Sequence, residues 1–200
     1  HYRQSWLASK IWGDWKTTPA WLWRCSGAHG SKGALGDIGV HIVDLATYVA
    51  GEEVRTVNAR LKTFAKAKGD CIGAYVLDAN DSALLRVELA GGGLGTISST
   101  RWATGHANSL ALSLFGDRGA LRFDLDRSGD QLEVCLGADV DKAVWKTVTC
   151  RKTPSMYQRF ITSIQTGKND AADFQRGWTV QKVLDASFVS SEKSATVRVG

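Results

Sequence analysis

An aspartate and a histidine four residues apart, Asp37 and His41, are the side chains of this 200-residue sequence whose types and spacing point most directly to chemistry. They lie in Gly33-Ala34-Leu35-Gly36-Asp37-Ile38-Gly39-Val40-His41-Ile42-Val43-Asp44-Leu45. That stretch reads as a helix with glycines crowding its N-terminal side and Gly51 closing its C-terminal end. Residues one turn apart share a side of a helix, and Asp44 can share it too. On the catalytic reading, Asp37 holds His41 and raises its basicity, while His41 exchanges a proton with a substrate hydroxyl. Two other readings stay open on spacing alone. In one, Asp37 caps the helix, His41 is a satisfied core histidine and Asp44 is solvated. In the other, a carboxylate and an imidazole at i and i+4 grip a metal ion; a third ligand is not evident, so no metal is expected.

The remaining candidates are weaker. Gly33, Gly36 and Gly39 do not match G-x-G-x-x-G, and Gly91-Gly92-Gly93-Leu94-Gly95 reads as a hairpin turn, so these residues carry no dinucleotide fingerprint. His106 sits in a turn and His29 in a Ser/Gly-rich loop. Five of the eight tryptophans, Trp6, Trp12, Trp15, Trp21 and Trp23, fall within the first 23 residues. Gly13, Asp14 and Pro19 break that stretch into an irregular loop. Such a loop either packs as a satellite core or offers aromatic faces to a sugar or cofactor.

The elements that must position these groups follow from periodicity. Ile38, Ile42, Leu45 and Val49 give the helix over 36–50 an apolar face. Residues 56–63 alternate in period two, and further strands are expected at 2–7, 71–78, 83–89, 94–102, 109–115, 119–125, 131–136 and 143–149. Turn signals at Asn80-Asp81, 91–93, 116–119 and 128–130 separate them with no helix between, which implies an antiparallel sheet. Leu121, Phe123 and Leu125 alternate with Arg122, Asp124 and Asp126, predicting one buried and one polar face there. Thr153-Pro154 opens a helix stopped by Gly167. Asp173 caps another whose Val180, Val183, Leu184 and Ser187 or Phe188 face the core, and residues 196–199 form a closing strand. The sum is an α+β domain over 1–200, a large mostly antiparallel sheet with helices packed on one face.

Composition bounds the function classes. The hydrophobic share is 44% and the charged share 22%, as in an ordinary globular protein. The net charge of +5 is spread along the chain without a block of like charge, leaving no footprint for nucleic acid or anionic lipid. No apolar run is long enough to span a bilayer and no signal segment opens the chain. The four cysteines show neither CxxC pairing nor finger spacing, which fits free thiols in a reducing cytoplasm. The start at His1 and the single methionine, Met156, suggest a piece of a longer polypeptide.

The segment from Gly33 to Leu45 resembles G-x-x-x-D-x-G-x-H-x-x-D-L of the Gfo/Idh/MocA oxidoreductases. Gln4-Ser5-Trp6-Leu7 and Trp21-Leu22-Trp23-Arg24 are similar to Q-x-W-L and W-x-W-R elements of some branches. Gly105-His106-Ala107-Asn108, Gly116-Asp117-Arg118-Gly119-Ala120-Leu121 and Leu184-Asp185-Ala186-Ser187 match later blocks in order. The resemblance implies the C-terminal domain of a two-domain enzyme whose N-terminal Rossmann domain, with most of the NAD or NADP site and an E-K-P lysine, has no counterpart in these residues. It further implies that His41 and Asp37 are catalytic, with His41 taking the hydroxyl proton. Asp37, Arg24, Trp21 and Trp23 would bind a sugar, polyol or related alcohol, and the domain would assemble into homodimers or homotetramers through its sheet. The isolated chain would lack hydride transfer, because the cofactor has nowhere to dock. A sugar-sensing regulatory or scaffold protein of the same fold, and a glycosidase relative using NAD transiently, are the alternatives it leaves.

Overall fold

The computed structural model describes residues 1–200. In chain order it forms β1 (Tyr2–Gln4), a run of short turns through the tryptophan loop that includes α1 (Pro19–Leu22), a helical segment over 33–50 whose regular part is α2 (Val40–Ala50), β2 (Val54–Lys62), β3 (Cys71–Ile72), β4 (Tyr75–Val76), β5 (Ser82–Leu89), β6 (Leu94–Thr100), β7 (Asn108–Gly116), β8 (Gly119–Asp124), β9 (Gln131–Leu136), β10 (Lys146–Thr149), α3 (Met156–Thr166), α4 (Phe174–Lys193) and β11 (Val197–Arg198). Nine strands hydrogen-bond in the order β10-β9-β8-β7-β1-β6-β5-β2-β11. Every neighbouring pair is antiparallel except β1 with β6. The mostly antiparallel α+β sheet expected from the sequence is the one that forms. No helix is long and apolar enough to cross a membrane.

Two compact units make up the chain, His1–Leu110 with Lys182–Gly200, and Ala111–Gln181, so that β7 and α4 each contribute to both. In the first unit the period-two pattern is carried through into packing. Val57 and Ala59 of β2, Ala83, Leu85 and Val87 of β5, and Ile97 and Ser99 of β6 are buried. They stand directly opposite one another as Val57 with Val87, Ala59 with Leu85, and Leu85 with Ile97. One register irregularity between Val54 and Thr56 keeps Val54 buried as well, as a bulge does when it adds a residue to one strand. Because β11 covers only the start of β2, the later strand groups Ala59 N–H and Leu61 N–H donate instead to the hydroxyls of Ser190 and Ser191 on α4, at 2.8 and 2.9 Å. Side-chain hydroxyls thus satisfy edge groups that would otherwise be open to pairing. Val180, Val183, Leu184 and Ser187 are the buried side of α4, as its spacing predicts.

The helical segment turns its buried side at Leu35, Ile38, Gly39, Ile42, Val43 and Thr47. Leu45 and Val49, expected on the apolar face, are half-buried. The difference starts at Leu35–Gly39, a wide turn in which the Val40 N–H reaches back five residues to the Leu35 carbonyl rather than four. One residue added to a turn rotates everything after it. Gly51, at φ +68°, ends the helix in the left-handed conformation that its type permits.

Four other expectations need correcting. Residues 71–78 are not one strand but the hairpin β3–β4, bent at Gly73-Ala74. Residues 137–142 form a tight helical turn, so the strand predicted over 143–149 is confined to β10. The predicted buried face of residues 119–125 is not closed off: Leu121 and Phe123 are half-buried and Leu125 is exposed. In α3 the cap is Ser155 rather than Thr153, with the Ser155 hydroxyl accepting from Gln158 N–H and the Gln158 side chain accepting from Ser155 N–H.

Candidate functional site

The start of the helix that carries Asp37 and His41 is fixed by a residue far away in sequence. Asn80, just before β5, accepts the Ala34 N–H on its main-chain carbonyl at 2.7 Å and the Leu35 N–H on its side-chain oxygen at 3.0 Å. Its amide donates to the Lys32 carbonyl at 2.9 Å. These bonds satisfy donors that the first turn of a helix leaves without partners. Gly33 is needed there twice over: its φ is +67°, and a Cβ would lie 2.4 Å from the Asn80 carbonyl oxygen. At Gly39 a Cβ would come within 2.9 Å of Leu35 Cδ1 and 3.2 Å of Ser99 Oγ, so glycine lets the wide turn lie against β6. Both glycines are therefore occupied by the protein's own packing and cradle no phosphate.

The spacing predicts that Asp37 holds His41. The structure instead gives Asp37 to Arg101, whose Nη2 donates to Asp37 Oδ2 at 2.8 Å. Ile97, Ser99 and Arg101 continue the inward parity of β6, so the guanidinium is carried beneath the wide turn. Its side chain is 0% exposed. A guanidinium kept from water requires a carboxylate, and Asp37 is the acidic group within its reach. The imidazole of His41, exposed one turn on, has water and makes no such demand. Arg101 also donates from Nη1 to the Arg24 carbonyl at 2.8 Å and from Nη2 to the Gly33 carbonyl at 3.1 Å, and lies 5.2 Å from the Trp6 ring centre. Asp37 keeps Oδ1 uncommitted, and its side chain remains 35% exposed.

His41 faces Tyr2 of β1, ring centres 6.0 Å apart. A polar chain runs from there into the core. Tyr2 hydroxyl and the Gln4 amide both donate to Asn108 Oδ1, at 2.8 and 2.9 Å, and Trp6 Nε1 donates to Gln4 Oε1 at 3.2 Å. Beside it, Lys66 and Asp81 form an ion pair at 2.7 Å with both side chains fully buried. Lys66 also donates to the Phe64 and Leu77 carbonyls, and Asp81 accepts Phe64 N–H. The Asp81 carbonyl accepts Arg101 N–H at 3.0 Å, which ties this pair to the strand end that presents the guanidinium.

The tryptophan loop divides between a buried satellite core and rings left at the surface. Trp6 and Trp15 are buried with Leu7, Leu22, Cys25 and Leu77 in a satellite core. Trp21 lies over that core and stacks on Trp12, with ring centres 5.8 Å apart and 14° between planes. Trp23 is exposed. The Arg24 guanidinium sits over both Trp21 and Trp23, at 5.1 and 4.7 Å, and donates to the Ala20 carbonyl at 2.6 Å. Burial pushes the Cys25 thiol up to about 11, against a small opposing pull from Arg101. His29 is engaged with the Ser26 hydroxyl and stacked near Tyr75, and His106 closes a turn onto the Ala103 carbonyl.

Asp37 lies in the wide turn and His41 at the start of the regular helix that follows it, while Arg24 is linked to Asp37 through its carbonyl and Arg101. Arg101, Asn80 and Tyr2 are the residues that the motifs do not mark, whereas Asn108 ends the block 105–108. Arg101 was legible in principle, because it falls on the inward parity of a strand where a charge has no business without a partner.

A mostly antiparallel sheet with a helix laid on it, carrying an anchored carboxylate and an exposed imidazole, defines an α+β domain. The chain belongs to the GFO/IDH/MocA C-terminal domain family, whose model matches residues 1–122. It is 30% identical over 152 residues to levoglucosan dehydrogenase of Pseudarthrobacter phenanthrenivorans, a match that takes in 68% of this chain and 38% of that protein. A structure of levoglucosan dehydrogenase in complex with NADH and levoglucosan superposes with a TM-score of 0.81 at 26% identity, covering 99% of this chain and 57% of the other. An oxidoreductase domain protein from Kribbella flavida matches with a TM-score of 0.79 at 26% identity, covering 100% and 59%. This chain therefore spans little more than half of the solved relatives and less of the curated one.

Proposed function

We propose that this chain is the substrate-binding and oligomerisation domain of an NAD(P)-dependent dehydrogenase acting on a sugar, polyol or related alcohol. The observation that carries the reading is an exposed His41 four residues along the same helical segment from an Asp37 carboxylate that is anchored through one oxygen and uncommitted at the other. In the proposed reaction His41 accepts the proton of the substrate hydroxyl being oxidised. Asp37 Oδ1 accepts a hydrogen bond from a neighbouring hydroxyl and fixes the sugar's rotation. The exposed ring of Trp23 and the Arg24 guanidinium pack against the C–H face of the ring, where an aromatic plane and a fixed donor give both contact and orientation. NAD(P), when bound, supplies the hydride acceptor. Gly33 and Gly39, filled by Asn80, Leu35 and Ser99, offer it no phosphate cradle, which is in keeping with a nucleotide held mainly by a separate domain.

On this reading the 200 residues alone bind sugar weakly and turn nothing over, and the protein forms a homodimer or homotetramer through the sheet. Exposed apolar strand residues, Leu84, Phe115, Leu136 and Val148 among them, support the assembly. The test is nicotinamide absorbance at 340 nm for the full-length protein over levoglucosan, D-glucose and myo-inositol with NAD or NADP. The reading expects reduced nicotinamide to accumulate with at least one of them. Sugar binding with no reduction would favour a sensor, and release of free sugar from glycosides with no net reduction would favour a glycosidase.

A further inference from the structure

We propose that Arg101 is a positioning residue for substrate oxidation, one that sets Asp37, the helix start and the Arg24 loop into a single register. The inference rests on the dehydrogenase reading above and deepens it. Three observations carry it. The guanidinium is wholly buried and has no path to a substrate, so it acts only through its neighbours. Its donors are spent on three separate segments: the Asp37 carboxylate in the wide turn, the Gly33 carbonyl at the helix start and the Arg24 carbonyl in the tryptophan loop. Its plane lies over Trp6, whose indole N–H is itself fixed by Gln4.

Those three segments carry the polar groups that meet the sugar on the proposed reading, and no other side chain joins all of them. A planar fork with five donors on fixed vectors reaches acceptors on well-separated segments in one geometry, whereas an ammonium such as that of Lys66 gathers its three acceptors around a single nitrogen. Burial sharpens the constraint, because an unpaired guanidinium there is costly, so Asp37 cannot swing toward solvent without leaving it exposed to that cost. The Arg101 Nε has no partner, so the stability gained from the site is below what the same side chain could reach elsewhere. The arrangement is explained by what it orients.

The experiment is a double-mutant cycle in the full-length protein, read as kcat and KM for whichever of levoglucosan, D-glucose or myo-inositol is turned over fastest. Arg101→Gln and Asp37→Asn are expected each to lower kcat/KM by roughly tenfold to a hundredfold, the scale of misplacing a reacting group by about 1 Å. Adding Arg101→Gln to Asp37→Asn should cost clearly less than Arg101→Gln costs alone, because the Asp37 carboxylate it orients is already gone and only its hold on the Gly33 and Arg24 carbonyls remains to be lost. KM for the nucleotide should stay unchanged, a separation that general loosening of the fold would not produce. Arg101→Lys keeps the buried charge and should fold where Arg101→Gln does not; it should keep part of the activity, with a raised sugar KM. Fully multiplicative losses, or Arg101 variants within about twofold of wild type, would overturn the role of Arg101. His41→Ala separates the two levels. If His41→Ala is inactive while the Arg101 variants work normally, only this proposal fails. If His41→Ala turns over like wild type, the dehydrogenase reading fails and takes this proposal with it.

Discussion

The unit formed by His1–Leu110 and Lys182–Gly200 hides its decisive charges, whereas the unit Ala111–Gln181 keeps its charges in solvent. Lys66–Asp81 and the guanidinium of Arg101 are fully buried, each with carbonyl partners beyond the ion pair. In the second unit Arg122–Glu133 and Arg159–Asp170 are ion pairs at the surface, and only Cys135 and Val180 within 111–181 are buried. There the amphipathic helix α3 leaves Met156, Tyr157, Phe160 and Ile164 exposed. A buried pair fixes geometry at the expense of desolvation, and is retained where geometry matters. A surface pair fixes little. The first unit is therefore the one in which single polar residues control position, and the second the one that leaves apolar side chains in solvent.

The largest effect expected from this contrast comes from breaking one buried pair. Lys66→Met leaves Asp81 charged and unpaired in the core and should cost about 3–5 kcal/mol in urea unfolding. Glu133→Gln, which breaks Arg122–Glu133, should leave the midpoint almost unmoved. Comparable losses at the two sites would remove the distinction between the units.

A smaller effect separates them by pH. The Cys25 thiol has a folded pKa of about 11 against an ordinary value of 9, because burial disfavours the thiolate. The folded state then binds this proton more tightly, so the stabilisation is complete below pH 9 and is lost as pH rises through 11. It amounts to at most roughly 2–3 kcal/mol. Cys25→Ala should flatten the decline of stability between pH 9 and 11, and Cys150→Ala, at an exposed thiol, should not. Equal slopes in wild type and Cys25→Ala would contradict the assignment.

The smallest is confined to α3. Ser155→Ala removes the hydroxyl cap on Gln158 N–H but keeps the main-chain N–H that the Gln158 side chain accepts, and should cost about 1 kcal/mol with no change in sugar KM. A change in KM would contradict a purely local role for the cap.

Much of this architecture can be read without coordinates. Alternation at 83–89 and 56–63, Gly51 and Gly167 as helix stops, and Asp173 as a cap are local signals, and each is realised to within a residue or two of where it is expected. What escapes is non-local. Asn80 reads as a turn residue yet caps a helix more than forty positions earlier, and no window along the sequence contains both. The Asp37–Arg101 pair spans 64 positions for the same reason. Spacing alone gives Asp37 the nearest partner, His41, because it cannot weigh a buried guanidinium arriving from another strand. The face of residues 119–125 was misjudged for a related cause: alternation reports which side is apolar, not whether this chain covers it.

The account stands on His41 as the group that takes the substrate proton. Its most direct measurement is steady-state turnover of the full-length His41→Ala variant beside wild type, with nucleotide affinity followed by fluorescence titration. The account predicts a fall in kcat of about a hundredfold or more with nucleotide affinity unchanged; turnover within about twofold of wild type would contradict it.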